Sequence, residues 1–241
     1  MISRSLIEEL RDKWQTTEHN VAREYAQHVL LSALYRDPRR KARLAFKGGT
    51  ALRLLGGSPR FSEDLDFSAW GKAYHVGEAL KETLAEAGRA GLEFSLEDSA
   101  PTSGGWFASM RARVHDWPVR VEWNVSLRGG AEEERETVLV STPLWAAYSV
   151  QSLPAGALAA EKGAALLARA KPRDFYDLYF ILRKPWGERK SIAARREAIL
   201  SRLDRLSPKA LYDELKLYLP KSHWPIIRDL PAQLRKELER V

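Results

Sequence analysis

The chain has 241 residues, no cysteine and a formal net charge of +7, with hydrophobic content of 44% and charged content of 29%, the composition of a globular protein with a real core. These values exclude disulfides and thiolate metal ligands, and with no apolar run of about eighteen residues they exclude a membrane-spanning helix. The N-terminal MISRSLIEELRDKW lacks an apolar signal core, so a cytoplasmic chain is expected, and the basic balance suits either a polyanionic partner or a solvated basic surface.

Residues 4–36 read as helical, because Leu6, Leu10 and Trp14, then Val21, Tyr25, Val29 and Ala33, recur four apart. RDPRRKAR (36–43) reads as a basic turn, LAF (44–46) as a short apolar strand and TALRLLGG (50–57) as a short helix stopped by Gly56 and Gly57. A strand follows over 62–68. GEALKETLAEAGRAG (77–91) is an amphipathic helix with Leu80, Leu84 and Ala87 on one face. GLEFSLED (91–98), WFASMRARVH (106–115), VRVEWNVSL (119–127) and ETVLVST (136–142) read as strands, with HDWP (115–118) as a tight connection. From Pro143 onward the pattern is helical: 154–170, a helix opened by Pro172, 191–206, 208–219 and a final PAQLRKELERV. The order predicts an α/β (α+β) chain: a mixed sheet with flanking helices over 1–145, then a helical bundle over 146–241.

RFSEDLDFS (60–68) crowds Glu63, Asp64 and Asp66 into this basic chain. On a strand, side chains alternate, so Asp64 and Asp66 share a face, about 6.6–7 Å apart at Cα, while Leu65 and Phe67 face a core. Parallel carboxylates repel unless a cation lies between them. Mg2+ takes one or two carboxylates with waters and substrate phosphates. Exposed strands also carry this spacing by chance. In RVEWNV (120–125), Glu122 shares the polar face with Arg120 and Asn124. Beside the D-x-D strand it completes a three-carboxylate, two-metal site; elsewhere it is a solvated acid. In KGGT (47–50), Gly48 and Gly49 allow close approach of the backbone to a ligand, and the helix start with the Thr50 hydroxyl suits a phosphate, although such a turn is common. Lys162 sits among alanines, where a snorkelling surface lysine is the ordinary case, but Arg169, Arg173 and Asp174 follow it as a charged cluster. For Asp174 and Asp177 the alternative is helix N-terminal electrostatics behind Pro172, weighted most at Asp177. The five histidines lack zinc spacing, no Walker A run or G-x-S-x-G elbow occurs, and Trp106, Trp117 and Trp123 read as core.

The run FKGGTALRLL…RFSEDLDF resembles the nucleotidyltransferase fold of the DNA polymerase β type. Together with AEKGAALLARAKPRDFYDLYFI (160–181) it is similar to the AbiEii/AbiGii group of toxin nucleotidyltransferases, the MenT-like toxins. The resemblance implies a nucleotidyltransferase-type sheet and transfer of a nucleoside monophosphate from an NTP to RNA, at the 3′ end of tRNA, which blocks aminoacylation and translation. It assigns Gly48, Gly49 and Thr50 to the triphosphate, Asp64 and Asp66 to Mg2+ (or Mn2+), and Lys162 to the phosphates. Either Asp174 or Asp177 is the last functional acid, with Asp174 favoured and Arg173 beside it. Arg60 matches the family's R-x-S-x-D-x-D run and pairs with the acids or meets phosphate, as Arg53 also would; Glu122 falls at a variable position. An antitoxin is the implied partner, with or without direct contact, and no membrane. The basic runs 36–43 and 202–209 are RNA contacts or solvated faces. Rival readings are the same fold with a protein or small-molecule hydroxyl as acceptor, and a non-catalytic nucleotide- or RNA-binding module.

Overall fold

The computed structural model describes residues 1–41, 43–70, 74–128, 134–186 and 189–241. Two compact units emerge: Met1–Gly57 with Phe61–Leu153, and Ser58–Arg60 with Pro154–Val241.

The first unit runs α1 (Arg4–Trp14), α2 (Glu18–Arg36), α3 (Pro38–Lys41), β1 (Leu44–Lys47), α4 (Gly48–Leu54), β2 (Asp64–Trp70), α5 (Tyr74–Arg89), β3 (Phe94–Thr102), β4 (Gly105–Val114), β5 (Trp117–Arg128), β6 (Glu136–Val140) and β7 (Tyr148–Ser152). The sheet has the order β3-β4-β5-β2-β1-β7-β6. It is mixed: β2 pairs parallel with β5 and antiparallel with β1, and β1 pairs parallel with β7. The apolar positions of the central strands build the core under α2, which packs on β5, β7 and α5. Phe46, Phe67 and Trp123 stack across three strands, with ring centroids 5.7 and 4.5 Å apart, and Leu65 lies buried on the same face.

Several elements differ from the sequence expectation for local reasons. The helix expected over 4–36 breaks after Trp14: Gln15 adopts the left-handed region (φ 50°), and the Thr17 hydroxyl accepts the Asn20 N–H at 3.2 Å to restart it as α2. The helix expected from Thr50 starts two residues earlier, at Gly48. Strand β7 was expected as helix; its five residues are anchored by β1, where the Leu153 N–H and the Ser152 hydroxyl both donate to the Phe46 carbonyl, at 3.2 and 3.1 Å. This strand keeps residues 146–153 with the sheet, so the first unit extends past 145. Of the basic turn at 36–43, residue 42 lies outside the described residues.

The second unit runs α6 (Ala155–Arg169), α7 (Pro172–Leu182), α8 (Arg189–Ala193), α9 (Arg196–Leu203), α10 (Pro208–Tyr218), a 3-10 turn (Lys221–His223) and α11 (Trp224–Leu238). The helix expected over 191–206 is split between α8 and α9, and α11 begins before Pro231 and runs through it. Leu166, Phe175, Leu178, Leu215, Leu230 and Leu234 are fully buried and form its apolar interior.

Candidate active site

In the first unit the candidate acids are brought together by strand order. Across the parallel β2–β5 pair Asp64 lies opposite Glu122 and Asp66 opposite Asn124; across the antiparallel β1–β2 pair Asp66 lies opposite Lys47. Paired residues share a face, so Asp64, Asp66, Glu122 and Lys47 project from one side of the sheet while Leu65, Phe67 and Trp123 fill the other. Glu122 therefore stands beside the D-x-D strand. Its carboxylate lies 3.6 Å from the Arg120 guanidinium, which also donates to Ser109 at 2.7 Å.

The Gly-Gly-Thr turn supports these acids directly. Gly48 has φ 82°, and a Cβ added there would lie 2.0 Å from Asp66 Oδ2 and 2.7 Å from Asp66 Cβ. Only glycine allows the Asp66 carboxylate to sit over the start of α4. The close approach expected here toward a ligand is thus made first by Asp66. Thr50 is buried, and its hydroxyl donates to the Asp64 carbonyl at 2.5 Å; Gly49 is buried in the same turn.

Lys47 carries a position that the sequence reading passed over. It is 8% exposed, stands opposite Asp66, and its ammonium donates to the Ser126 hydroxyl at 3.4 Å. Its sequence signal was a lysine closing a buried strand just before the glycines; its register with the acid strand is set by the β1–β2 pairing.

The donor chemistry fits a hard divalent cation. Asp64 and Asp66 are partly exposed carboxylates two residues apart on one face, and one or two carboxylates are what Mg2+ takes from a protein when substrate phosphates supply the rest. Among the described residues no group of three His, Cys, Asp or Glu side chains converges as a metal-holding cluster.

In the second unit the expected cationic cluster divides in two. Arg60 grips Asp177 with two bonds, Nε to Oδ1 at 2.7 Å and Nη2 to Oδ2 at 2.9 Å, and Lys162 Nζ reaches Asp177 Oδ2 at 2.8 Å. All three are buried. Burial pushes the Asp177 carboxyl up, but the Arg60 guanidinium and Lys162 ammonium outweigh it and hold its pKa at about 2. Burial likewise favours loss of the Arg60 proton, and Asp177 overcomes it, so that guanidinium is held more firmly protonated than usual.

Asp174 has local partners. Its carboxylate accepts from Arg169 at 2.9 and 2.7 Å and from the Lys171 N–H at 3.2 Å, while its own N–H donates to the Lys171 carbonyl at 2.9 Å. The helix-start electrostatics weighted at Asp177 are found at Asp174 instead. Arg173 faces Glu214 of α10 at 3.6 Å. In the first unit, Arg53 pairs with Glu24 of α2 and lies 3.4 Å over the Phe61 ring centroid.

A mixed sheet with paired carboxylates on a central strand, a Gly-Gly-Thr turn under them and an acid on the neighbouring strand defines a nucleotidyltransferase fold. Residues 30–238 match the family of the nucleotidyl transferase AbiEii toxin, type IV toxin–antitoxin system. The chain belongs to that family: it is a nucleotidyltransferase toxin of a toxin–antitoxin system. In fold it is similar to MenT4, a nucleotidyltransferase toxin from Mycobacterium tuberculosis H37Rv, with a TM-score of 0.67 and 21% identity over 99% of this chain and 89% of that one. It is also similar to JHP933 from Helicobacter pylori, with a TM-score of 0.57 and 20% identity over 93% of this chain and 95% of that one. Among curated proteins none matches. No helix among the described residues is long and apolar enough to cross a membrane.

Proposed function

We propose that the chain transfers a nucleoside monophosphate from an NTP to RNA, at the 3′ end of tRNA, in a Mg2+-dependent reaction that Mn2+ also supports. The modified tRNA is no longer aminoacylated, and translation stops. The observation that carries this reading is the alignment of Asp64 with Glu122 across β2 and β5, with Asp66 seated over Gly48 on the same face. The surplus of 39 lysines and arginines over 32 acids supports a polyanionic acceptor.

Asp64 and Asp66 would hold the cation. When bound, it lowers the pKa of the attacking hydroxyl and steadies the leaving pyrophosphate. The acceptor oxygen attacks the α-phosphorus in line, the bond from that phosphorus to the bridging β-phosphate oxygen breaks, pyrophosphate leaves, and the hydroxyl proton passes to solvent. The residues of the chain supply placement and charge. The Gly48–Thr50 turn orients Asp66 and Asp64. Glu122 adds a third carboxylate to the face. Lys162, for which the resemblance suggests a phosphate contact, offers a charge that Asp177 and Arg60 hold in place.

The test is a transfer assay with each α-³²P-labelled NTP, Mg2+ and total tRNA, beside Asp66→Ala. Label is expected in tRNA with the wild type alone, and 3′-end mapping then gives the base. Label in a protein or small molecule replaces the acceptor, and NTP binding without any transfer replaces catalysis with binding.

A further inference from the structure

Helix α2 carries an unusual stripe. Asn20, Arg23, Glu24, Gln27 and His28 recur at helical spacing along one face, and all are buried. An apolar stripe would pack there at lower desolvation cost, and buried polar groups persist only where partners satisfy them. The partners of two of these residues are consecutive positions just before β2. The Gln27 amide, 2% exposed, donates to the Ser62 carbonyl at 2.9 Å, and Arg23 Nη1 lies 3.1 Å from the Glu63 carboxylate while its Nη2 is 2.7 Å from His19 Nε2. The third consecutive residue, Asp64, has its carbonyl held by Thr50.

The strand β2 begins only at Asp64, so Ser62 and Glu63 lie outside the ladder. Gln27 supplies to the Ser62 carbonyl the donor that a neighbouring strand would otherwise give. With the 62 and 64 carbonyls both fixed, the peptide planes before Glu63 and after Asp64 are set on either side of this two-residue step, Glu63 is turned toward α2 by Arg23, and Asp64 enters the ladder opposite Glu122.

We infer that Gln27, with Arg23, is a positioning residue that aims the Asp64 carboxylate from α2, a role that rests on the reading of Asp64 as a metal-holding acid. Both residues lie before residue 30, where the family match begins. Gln27 acts through the backbone and touches no substrate.

The experiment uses the full chain. Mn2+ is titrated in the presence of a non-reactive NTP analogue, with free Mn2+ read by electron paramagnetic resonance, and transfer kinetics and thermal midpoints are measured alongside for wild type, Asp64→Ala, Gln27→Met and Gln27→Glu. Gln27→Met keeps the length and loses the donor. Its kcat and Mn2+ affinity are expected to fall roughly tenfold with KM for NTP unchanged, well inside the hundredfold that an ångström-scale misplacement costs. A lowered thermal midpoint with wild-type Mn2+ affinity and kcat makes Gln27 a purely structural residue and overturns the inference. If Gln27→Met does not fold, Gln27→Glu decides: a protonated carboxyl donates to the Ser62 carbonyl and a carboxylate does not. Its Mn2+ affinity relative to wild type is therefore expected to recover as pH falls toward 5, and a ratio independent of pH overturns the inference. Loss of bound Mn2+ in Asp64→Ala beside wild-type behaviour of both Gln27 variants sinks the inference and leaves the metal reading standing. Wild-type Mn2+ binding by Asp64→Ala sinks both.

Discussion

Replacing Asp177 with Asn is the most direct test of the buried charge group in the second unit. The substitution keeps volume and some hydrogen bonding, and removes the anion that faces Arg60 at 2.7 Å and Lys162 at 2.8 Å. Two routes give its size. Lowering of the Asp177 pKa from 3.8 to about 2 corresponds to about 2 kcal/mol of charge-dependent stability at neutral pH. Breaking a buried pair by removing one partner costs about 3–5 kcal/mol, because cations are left in a dry setting without their counter-charge. Urea unfolding at pH 7 is therefore expected to show Asp177→Asn weaker by about 2–5 kcal/mol. The pH dependence has a definite sign. The folded pKa lies below the unfolded one, so the contribution is complete above 3.8 and is lost as pH falls through about 2. The gap between wild type and variant should stay level down to about pH 4 and shrink by about 1 kcal/mol by pH 3. A gap below about 1 kcal/mol at pH 7, or one that does not narrow in acid, refutes the account of Asp177 as the ionised centre of this group.

Gly48→Ala is expected to lower transfer at least about a hundredfold, since its Cβ would stand 2.0 Å from Asp66 Oδ2 at a φ of 82° and must displace that carboxylate; steady-state kinetics beside circular dichroism separates this from unfolding. Burial, aided by the charge on Arg53, holds His28 near a pKa of about 3, so the unfolded chain takes up that proton first as pH falls below 6.5. The wild type should thus lose about 2 kcal/mol between pH 6.5 and pH 5 on this account, a slope that His28→Gln should remove in a urea-unfolding series.

Local signals were legible where the partners are local. Asp174 is satisfied by Arg169 and Lys171, within five residues of it, and Pro172 with its neighbours announces a helix start. Asp177 looks like part of the same run, yet its partners are Arg60, far away in the chain, and Lys162 on another helix, so proximity in sequence put weight for the helix-start role on Asp177 when Asp174 fills it. The same distinction explains Glu122. Alternation placed it on a polar strand face, but whether that face belonged to Asp64 depended on β5 lying next to β2, a pairing with no local signature. Strand β7 was lost for a related cause: a five-residue strand between proline-rich turns and an alanine-rich helix takes its identity from β1, not from its own pattern.

Helix α2 shows the converse. Its apolar repeat made it legible as a helix, but Arg23, Glu24, Gln27 and His28 fall at the spacing that ordinarily marks a solvated face. In the structure that face is buried, and its hydrogen bonds to Ser62, Arg53 and Tyr148 are the reason it is polar. A helix of this kind is not amphipathic in the usual sense, because both faces are core and one of them is a hydrogen-bonding template. The acid strand needs such a template at its start, where the ladder has not yet begun and Asp64 must already point the right way. The residues that aim the site are therefore least visible in sequence, since each imitates a surface residue until the chain it holds is folded against it.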